Sequence, residues 1–440
     1  MSVGHVPQSA PTAPALKPPA VQKQMENART DVRRFAMLAV PLALLLLTFK
    51  EYNLEQPPFF LLACLVCGGF AVSYWLPFRF KQTFFIAFSL AGAYVLLSPA
   101  VATLLIVIGL LPFAIMRSRL SYGWKLLVLL GGMAVLAYAR ALGRFGIPRE
   151  FWPVFGAIFM FRLFMYLYDM KHLPGPARLS EYLSYFFLLP NYYFVLFPVI
   201  DFQTFRKSYF KRDIHLVAWQ GIWWMARGTT HLILYRLIYQ AQNYVSPPDV
   251  PVPVAVVAKI VMCYLLYLRV SGQFHIIAGM LHLFGYDLPE TNRRYFLAHS
   301  VNDYWRRINI YWKDLMVKMC YFPVYFKLRR LGDLQAQLIA VTSVFVVTWF
   351  LHAYQVFWLQ GKLRFAANDT LFWTVLASLV LVNTWMDYKR PKRAPQTGWK
   401  FRLRRAAQIA GTFALISLLW SLWSAESITE WFYFLRSGNV

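Results

Sequence analysis

Long uncharged stretches dominate the first third of the chain. Phe59 to Trp75, Thr83 to Met116 and Leu126 to Ala139 each run without a single charged residue. A run of about 20 apolar residues crosses a bilayer core as a helix, because backbone groups in hydrocarbon must be satisfied within the segment. The runs are continuous and do not alternate in and out, which excludes a membrane barrel. The pattern predicts an all-α, polytopic integral membrane protein with roughly eleven to thirteen membrane helices, re-entrant or interfacial segments included.

The pattern changes after the first third. From Pro148 to about Lys389 the apolar runs are interrupted by polar and aromatic clusters at Tyr166–His172, Asp201–Asp213 and His299–Arg330. Helices facing only lipid have no use for such residues, whereas helices lining a cavity do. A last span is expected from about Ala406 to Trp423. No internal repeat is visible, which argues against an inverted-repeat transporter or lipid-flipping protein. Residues 1–28 are rich in Pro, Ala and Gln and lack an apolar core, so they read as a disordered cytoplasmic tail and not as a signal peptide. Residues 29–440 read as one membrane unit.

Composition agrees with this. Of the 440 residues 59% are hydrophobic, 18% aromatic and 15% charged, where a soluble domain carries about a quarter charged. A net charge of +26 could suggest nucleic acid, but the placement of the charges points elsewhere. Lys and Arg gather at the ends of apolar runs, at Arg33–Arg34, Arg117–Arg119, Arg206–Arg212 and Lys389–Arg405, as in cytoplasmic loops. The partners this implies are membrane lipids, and no nucleic acid. Cys64 and Cys67 share a C-x-x-C spacing but lie inside an apolar run without a second pair, so a structural role is expected.

Two segments carry candidate chemistry. Read as a helix from Asn302, the first supports itself through the i,i+4 pairs Asp303–Arg307 and Asp314–Lys318. It places Trp305, Asn309 and Trp312 on one face, and Pro323 is expected to break or kink it. It is too charged for a lipid-exposed span and reads as interfacial or re-entrant. The second, Leu338 to Trp358, is an apolar helix with one polar stripe, Thr348, His352 and Gln355. An ionisable residue at such a place is a functional candidate, and its alternative is an interhelical hydrogen bond. His231, His275 and His282, beside loop or basic sequence, read as structural, and His5 lies in the tail.

These segments also carry a resemblance. Phe284–Glu290 (F-G-Y-D-L-P-E), Asp303–Trp312 (D-Y-W-R-R-I-N-I-Y-W) and Phe350–Ala353 (F-L-H-A) resemble the membrane-bound O-acyltransferase (MBOAT) family. Their order and spacing look like its bacterial polysaccharide-modifying branch, which acts in alginate O-acetylation and teichoic acid D-alanylation. Weaker similarity at Tyr166–Asp169 and Phe197–Arg206 extends the region to about residues 148–387. That branch has a histidine where this chain has Asn309, while the family's sterol and diacylglycerol acyltransferases have Asn. The second family histidine matches His352.

The resemblance implies transfer of an acyl group from a thioester, acyl-CoA or carrier-protein-linked, to a hydroxyl acceptor, with no bound cofactor. The acceptor it implies is a cell-envelope polysaccharide, or alternatively a lipid or sterol-like alcohol. It also implies a bacterial inner-membrane location and leaves room for a soluble or membrane-anchored acyl-transfer partner. The reaction needs a neutral imidazole to take the hydroxyl proton, a role for His352. It also needs a donor to the oxyanion. Asn309 could supply that donor or could orient the acceptor. Arg306, Arg307, Lys313 and Lys318 offer cations for donor phosphates, or else anchor the segment by snorkelling. Trp305, Trp312, Asp303, Thr348 and Gln355 complete the expected substrate-binding set. No G-x-S-x-G motif is present, so direct transfer is expected. A family member without activity, serving as a scaffold, is the remaining alternative.

Overall fold

The computed structural model describes residues 31–438 apart from residues 144–145, 173–174, 176, 246–249 and 390–397. The expected N-terminal tail and His5 therefore lie outside the described residues, as does most of the Lys389–Arg405 loop. Every named secondary-structure element among the described residues is helical. Nine helices there are long and apolar enough to cross a membrane. They are α1 (Val32–Tyr52), α2 (Pro57–Trp75), α4 (Pro99–Arg117), α5 (Tyr122–Leu142), α6 (Phe151–His172), α8 (Val252–Leu283), α9 (Asp333–Gln360), α10 (Ala367–Lys389) and α11 (Trp399–Ser424). Two further long helices, α3 (Phe78–Leu96, 19 residues) and α7 (Ile214–Ala241, 28 residues), carry more polar residues. The chain is an all-α polytopic membrane protein.

Local chemistry sets the helix ends. Prolines open α2 and α4, where a missing N–H costs nothing. Gly143 and Gly361 close α5 and α9 in the left-handed conformation. Helices α7 and α8 pack backbone to backbone. A Cβ on Gly228 or Gly279 would collide with the carbonyl of Gly272 or Gly221 opposite, so the pair stays close only with glycine there.

Helix order assigns the two faces. Tyr74 at the end of α2 donates to the Asp31 carbonyl before α1 at 3.1 Å, and its ring meets His215 at the start of α7. At the other face, Arg236 near the end of α7 donates to the Tyr52 carbonyl that ends α1. Alternate crossing then puts Arg33–Arg34, Arg117–Arg119, Arg206–Arg212 and Lys389 on one face, called here the basic face.

Two segments dip in from that face and return. Residues 179–208 form one: Tyr182 donates to the Gly109 carbonyl midway along α4 at 2.5 Å, and Tyr193 at its tip reaches Glu55 between α1 and α2. Residues 301–331 form the other. Asn302 bonds Asn383, Thr384 and Asp387 at the basic end of α10. Deeper in, Trp305 packs on Phe345 with ring centroids 4.9 Å apart, and the Trp312 indole reaches Thr348 at 3.4 Å. This segment is re-entrant.

Its interior corrects two expectations. The segment is not one helix: Val301–Arg307 ends, and Ile310–Met316 begins with Asn309 as its N-cap at φ 37°. Asparagine tolerates this left-handed conformation better than most residues. The strand-like stretch before it replaces the lost helical bonds. The Asn309 N–H donates to Asn292 Oδ1 at 2.8 Å and the Ile310 N–H to the Thr291 carbonyl at 2.8 Å. Pro323 does not end the segment, because a π-helical turn at Val317–Tyr321 widens the backbone just before it. The second correction concerns charge. Asp314 pairs with the adjacent Lys313, while Lys318 pairs with Asp169 at 2.5 Å and Asp201 at 3.2 Å.

Candidate functional site

His352 lies 19 residues into α9 and eight before its end. At 1.5 Å per residue it sits about 28 Å from the basic end of α9 and about 12 Å from the other. The re-entrant segment brings Asn309 and Trp312 to that depth. There Asn309, Trp312, Lys313 and His352 share a cavity of about 90 Å³ with Tyr267, Tyr304, Trp305, Ile308, Phe372, Trp373, Leu376, Trp420 and Trp423.

Indoles surround the imidazole. Ring centroids lie 4.8 Å away for Trp373, 5.7 Å for Trp423 and 6.0 Å for Trp312. Each is held by its N–H. Trp312 donates to Thr348, and Trp373 and Trp423 both donate to one oxygen of Asp369, at 3.2 and 2.7 Å. The His352 ring nitrogens have no hydrogen-bond partner among the described residues, and only ring contacts touch the side chain. In so apolar a wall the imidazole is left for a ligand.

Asn309 is oriented by the backbone. Its Oδ1 accepts the Trp312 N–H at 3.3 Å as the N-cap of Ile310–Met316. The oxygen is therefore turned to the helix, and the amide N–H₂, which has no partner among the described residues, is the free end. The cavity thus offers one unpartnered base and one unpartnered donor.

The other expected site residues divide. Trp305, Trp312 and Lys313 line the cavity. Thr348 is buried and serves it by holding Trp312. Arg307 is bonded to Asp303 at 2.8 Å, and Arg306 is exposed and bonds the Asn302 carbonyl. Burial works against the charge of Asp303, but Arg307 and the His299 N–H hold its carboxyl below the usual range. These two arginines and Asp303 form the base of the segment and do not line the cavity. Nor does Gln355, although it shares a stripe with Thr348 and His352. Lys318 is spent on two carboxylates and lies outside the cavity lining.

Sequence reasoning missed Asp369, Trp373, Trp420, Trp423, Tyr267 and Tyr304. The one local signal was the i,i+4 spacing of Asp369 and Trp373; the rest assemble only in the fold. His231, His275 and His282 lie between α7 and α8 and bond Ser271 or the Ala278 carbonyl nearby. No family model matches this chain, and no curated protein sequence matches it.

Proposed function

We propose that this chain is a membrane-embedded O-acyltransferase of the membrane-bound O-acyltransferase type, moving an acyl group from a thioester to a hydroxyl acceptor of the cell envelope. One observation carries the reading: the unpartnered imidazole of His352 and the unpartnered amide N–H₂ of Asn309 face one small, indole-walled cavity inside the membrane. The three segments that resemble the family support it by converging there. Pro289 to Asn292, which closes and follows the first motif, props the Asn309 turn through the Tyr311 hydroxyl, the Ile310 N–H and the Asn309 N–H.

In this reading His352 removes the hydroxyl proton of the acceptor as its oxygen attacks the thioester carbonyl. The carbonyl oxygen becomes an oxyanion and accepts from the Asn309 amide. Collapse of the tetrahedral adduct breaks the C–S bond. The thiolate takes the proton back from the imidazolium, so an ester and a free thiol leave and the enzyme is restored. The water-poor indole wall limits competing hydrolysis and strengthens both interactions. The basic face is the cytoplasmic one by its charge, so the donor approaches from that side in the bacterial inner membrane.

The test compares cell envelopes with and without the gene by mass spectrometry. Base-labile O-acyl esters that disappear with the gene, and return with wild type but not with His352→Ala, support the reading. Identical ester content in all samples refutes it.

A further inference from the structure

A second and larger cavity, about 650 Å³, opens at the face opposite the basic one. Its walls are the last turn of α11 (Ser421, Ser424), the amphipathic helix Ile428–Ser437 with Glu430 and Trp431, Lys259 of α8, and Gln242 and Asn243 beyond α7. Only the thickness of α11's aromatic turn separates it from His352. Trp420 and Trp423 line the His352 cavity, and their neighbours Ser421 and Ser424 line this one.

The charges in this cavity do not pair with one another. Lys259 donates to the Gly438 carbonyl at 2.9 Å, and Glu430 accepts the Glu426 N–H at 2.9 Å. Among the described residues neither Glu426 nor Glu430 has a cationic partner. Unpaired charges of both signs around one space call for a polar occupant. Gln242, Asn243 and Ser424 add neutral donors and acceptors, and the Trp431 ring is fixed by its N–H to Ser421 Oγ at 3.0 Å.

We infer that this cavity seats the hydroxyl acceptor and that the acceptor is a neutral glycan; this rests on the acyl-transfer reading above. A hydroxyl both donates and accepts, so it satisfies carboxylates, amides and ammonium alike. An indole face covers the C–H face of a sugar ring. An anionic glycan would meet two carboxylates against one lysine, and a cationic ligand would meet Lys259. The volume is that of a small-ligand site.

The experiment measures binding to the purified full-length protein in detergent, by tryptophan fluorescence and calorimetry, without any transfer step. The probes are neutral cello- and malto-tetraose, anionic tetragalacturonate, and glycerophosphoethanolamine as a lipid headgroup. Wild type and His352→Ala are expected to bind a neutral tetrasaccharide equally. Trp431→Ala and Glu430→Gln are expected to weaken it about tenfold or more, the scale of one hydrogen bond to a charged group. The Gln variant can keep the helix-start bond to the Glu426 N–H, and it should bind tetragalacturonate better than wild type does. Tighter binding of the uronate or the headgroup by wild type, unchanged binding in both variants, or no binding of any neutral probe overturns the assignment. None of these results bears on whether His352 supports transfer, which the envelope comparison decides separately.

Discussion

Asn309 Oδ1 accepts the Trp312 N–H at 3.3 Å, and this one bond decides which end of the amide is free in the cavity. Asn309→Asp is therefore a sharp substitution. Aspartate keeps the N-cap and tolerates the left-handed backbone, yet it puts a second oxygen where the N–H₂ was. Transfer is expected to fall about 10²–10³-fold, the scale of one oxyanion donor, with little change in thermal stability. Asn309→His should retain part of the activity, since histidine also donates and tolerates positive φ. Equal turnover by wild type and the Asp variant removes Asn309 from the mechanism.

Asp369 holds Trp373 and Trp423 on a single oxygen and acts on His352 only through them. Asp369→Ala should free both indoles, shift the tryptophan emission and lower kcat more than it raises the donor KM. Asp369→Asn keeps an acceptor oxygen and should restore most of the emission and part of the rate. If the Ala variant lowers stability but leaves emission and kcat unchanged, Asp369 is structural only.

Lys318 tests where charge is structural. It is about a third exposed and bridges Asp201 and the fully buried Asp169. Lys318→Met leaves two carboxylates facing each other. Its cost is expected between the about 1 kcal/mol of an exposed pair and the about 3–5 kcal/mol of a buried one. Lys318→Arg should recover most of the melting temperature, with donor KM unchanged in the surviving enzyme. A raised donor KM at normal stability would return Lys318 to donor binding.

The face assignment is open to labelling. In a background without Cys64, Cys67, Cys263 and Cys320, a cysteine at Lys400 should react only from the cytoplasmic side. One at Thr429 should react only from the other side, since α11 separates them. Reaction of both from the same side contradicts the crossing order, and reaction of Lys400→Cys only from outside inverts the donor's route.

The spans were legible because uninterrupted apolar length is itself the physical requirement for crossing. The His352 stripe was legible for the same reason, as polarity where lipid tolerates none. The break at Asn309 was not. Asp303–Arg307 and Asp314–Lys318 had the spacing of one helix, and only Thr291 and Asn292, remote until folding, offered the backbone better partners. Lys318 likewise looked local, but its carboxylates come from two other segments. The indole wall was invisible because tryptophans near helix ends look like an interfacial belt until α10 and α11 turn them inward onto one imidazole.

His352 decides most. The imidazole touches three indoles and bonds nothing among the described residues, so its removal breaks no hydrogen bond. His352→Ala is expected to abolish transfer with protein level and donor binding nearly intact. Loss of a general base costs about 10²–10⁴-fold, while the small cavity it leaves should cost little beyond lost packing against the rings. His352→Gln separates the two roles a buried histidine can have. Glutamine can hydrogen-bond at similar reach but cannot take up a proton at neutral pH. A packing histidine would be replaced by it with normal turnover, whereas a base would not. Purified variants assayed for acyl transfer, with melting temperatures from the same samples, give the answer. Near-normal turnover in the Gln variant ends the catalytic assignment, and an inactive enzyme of wild-type stability upholds it.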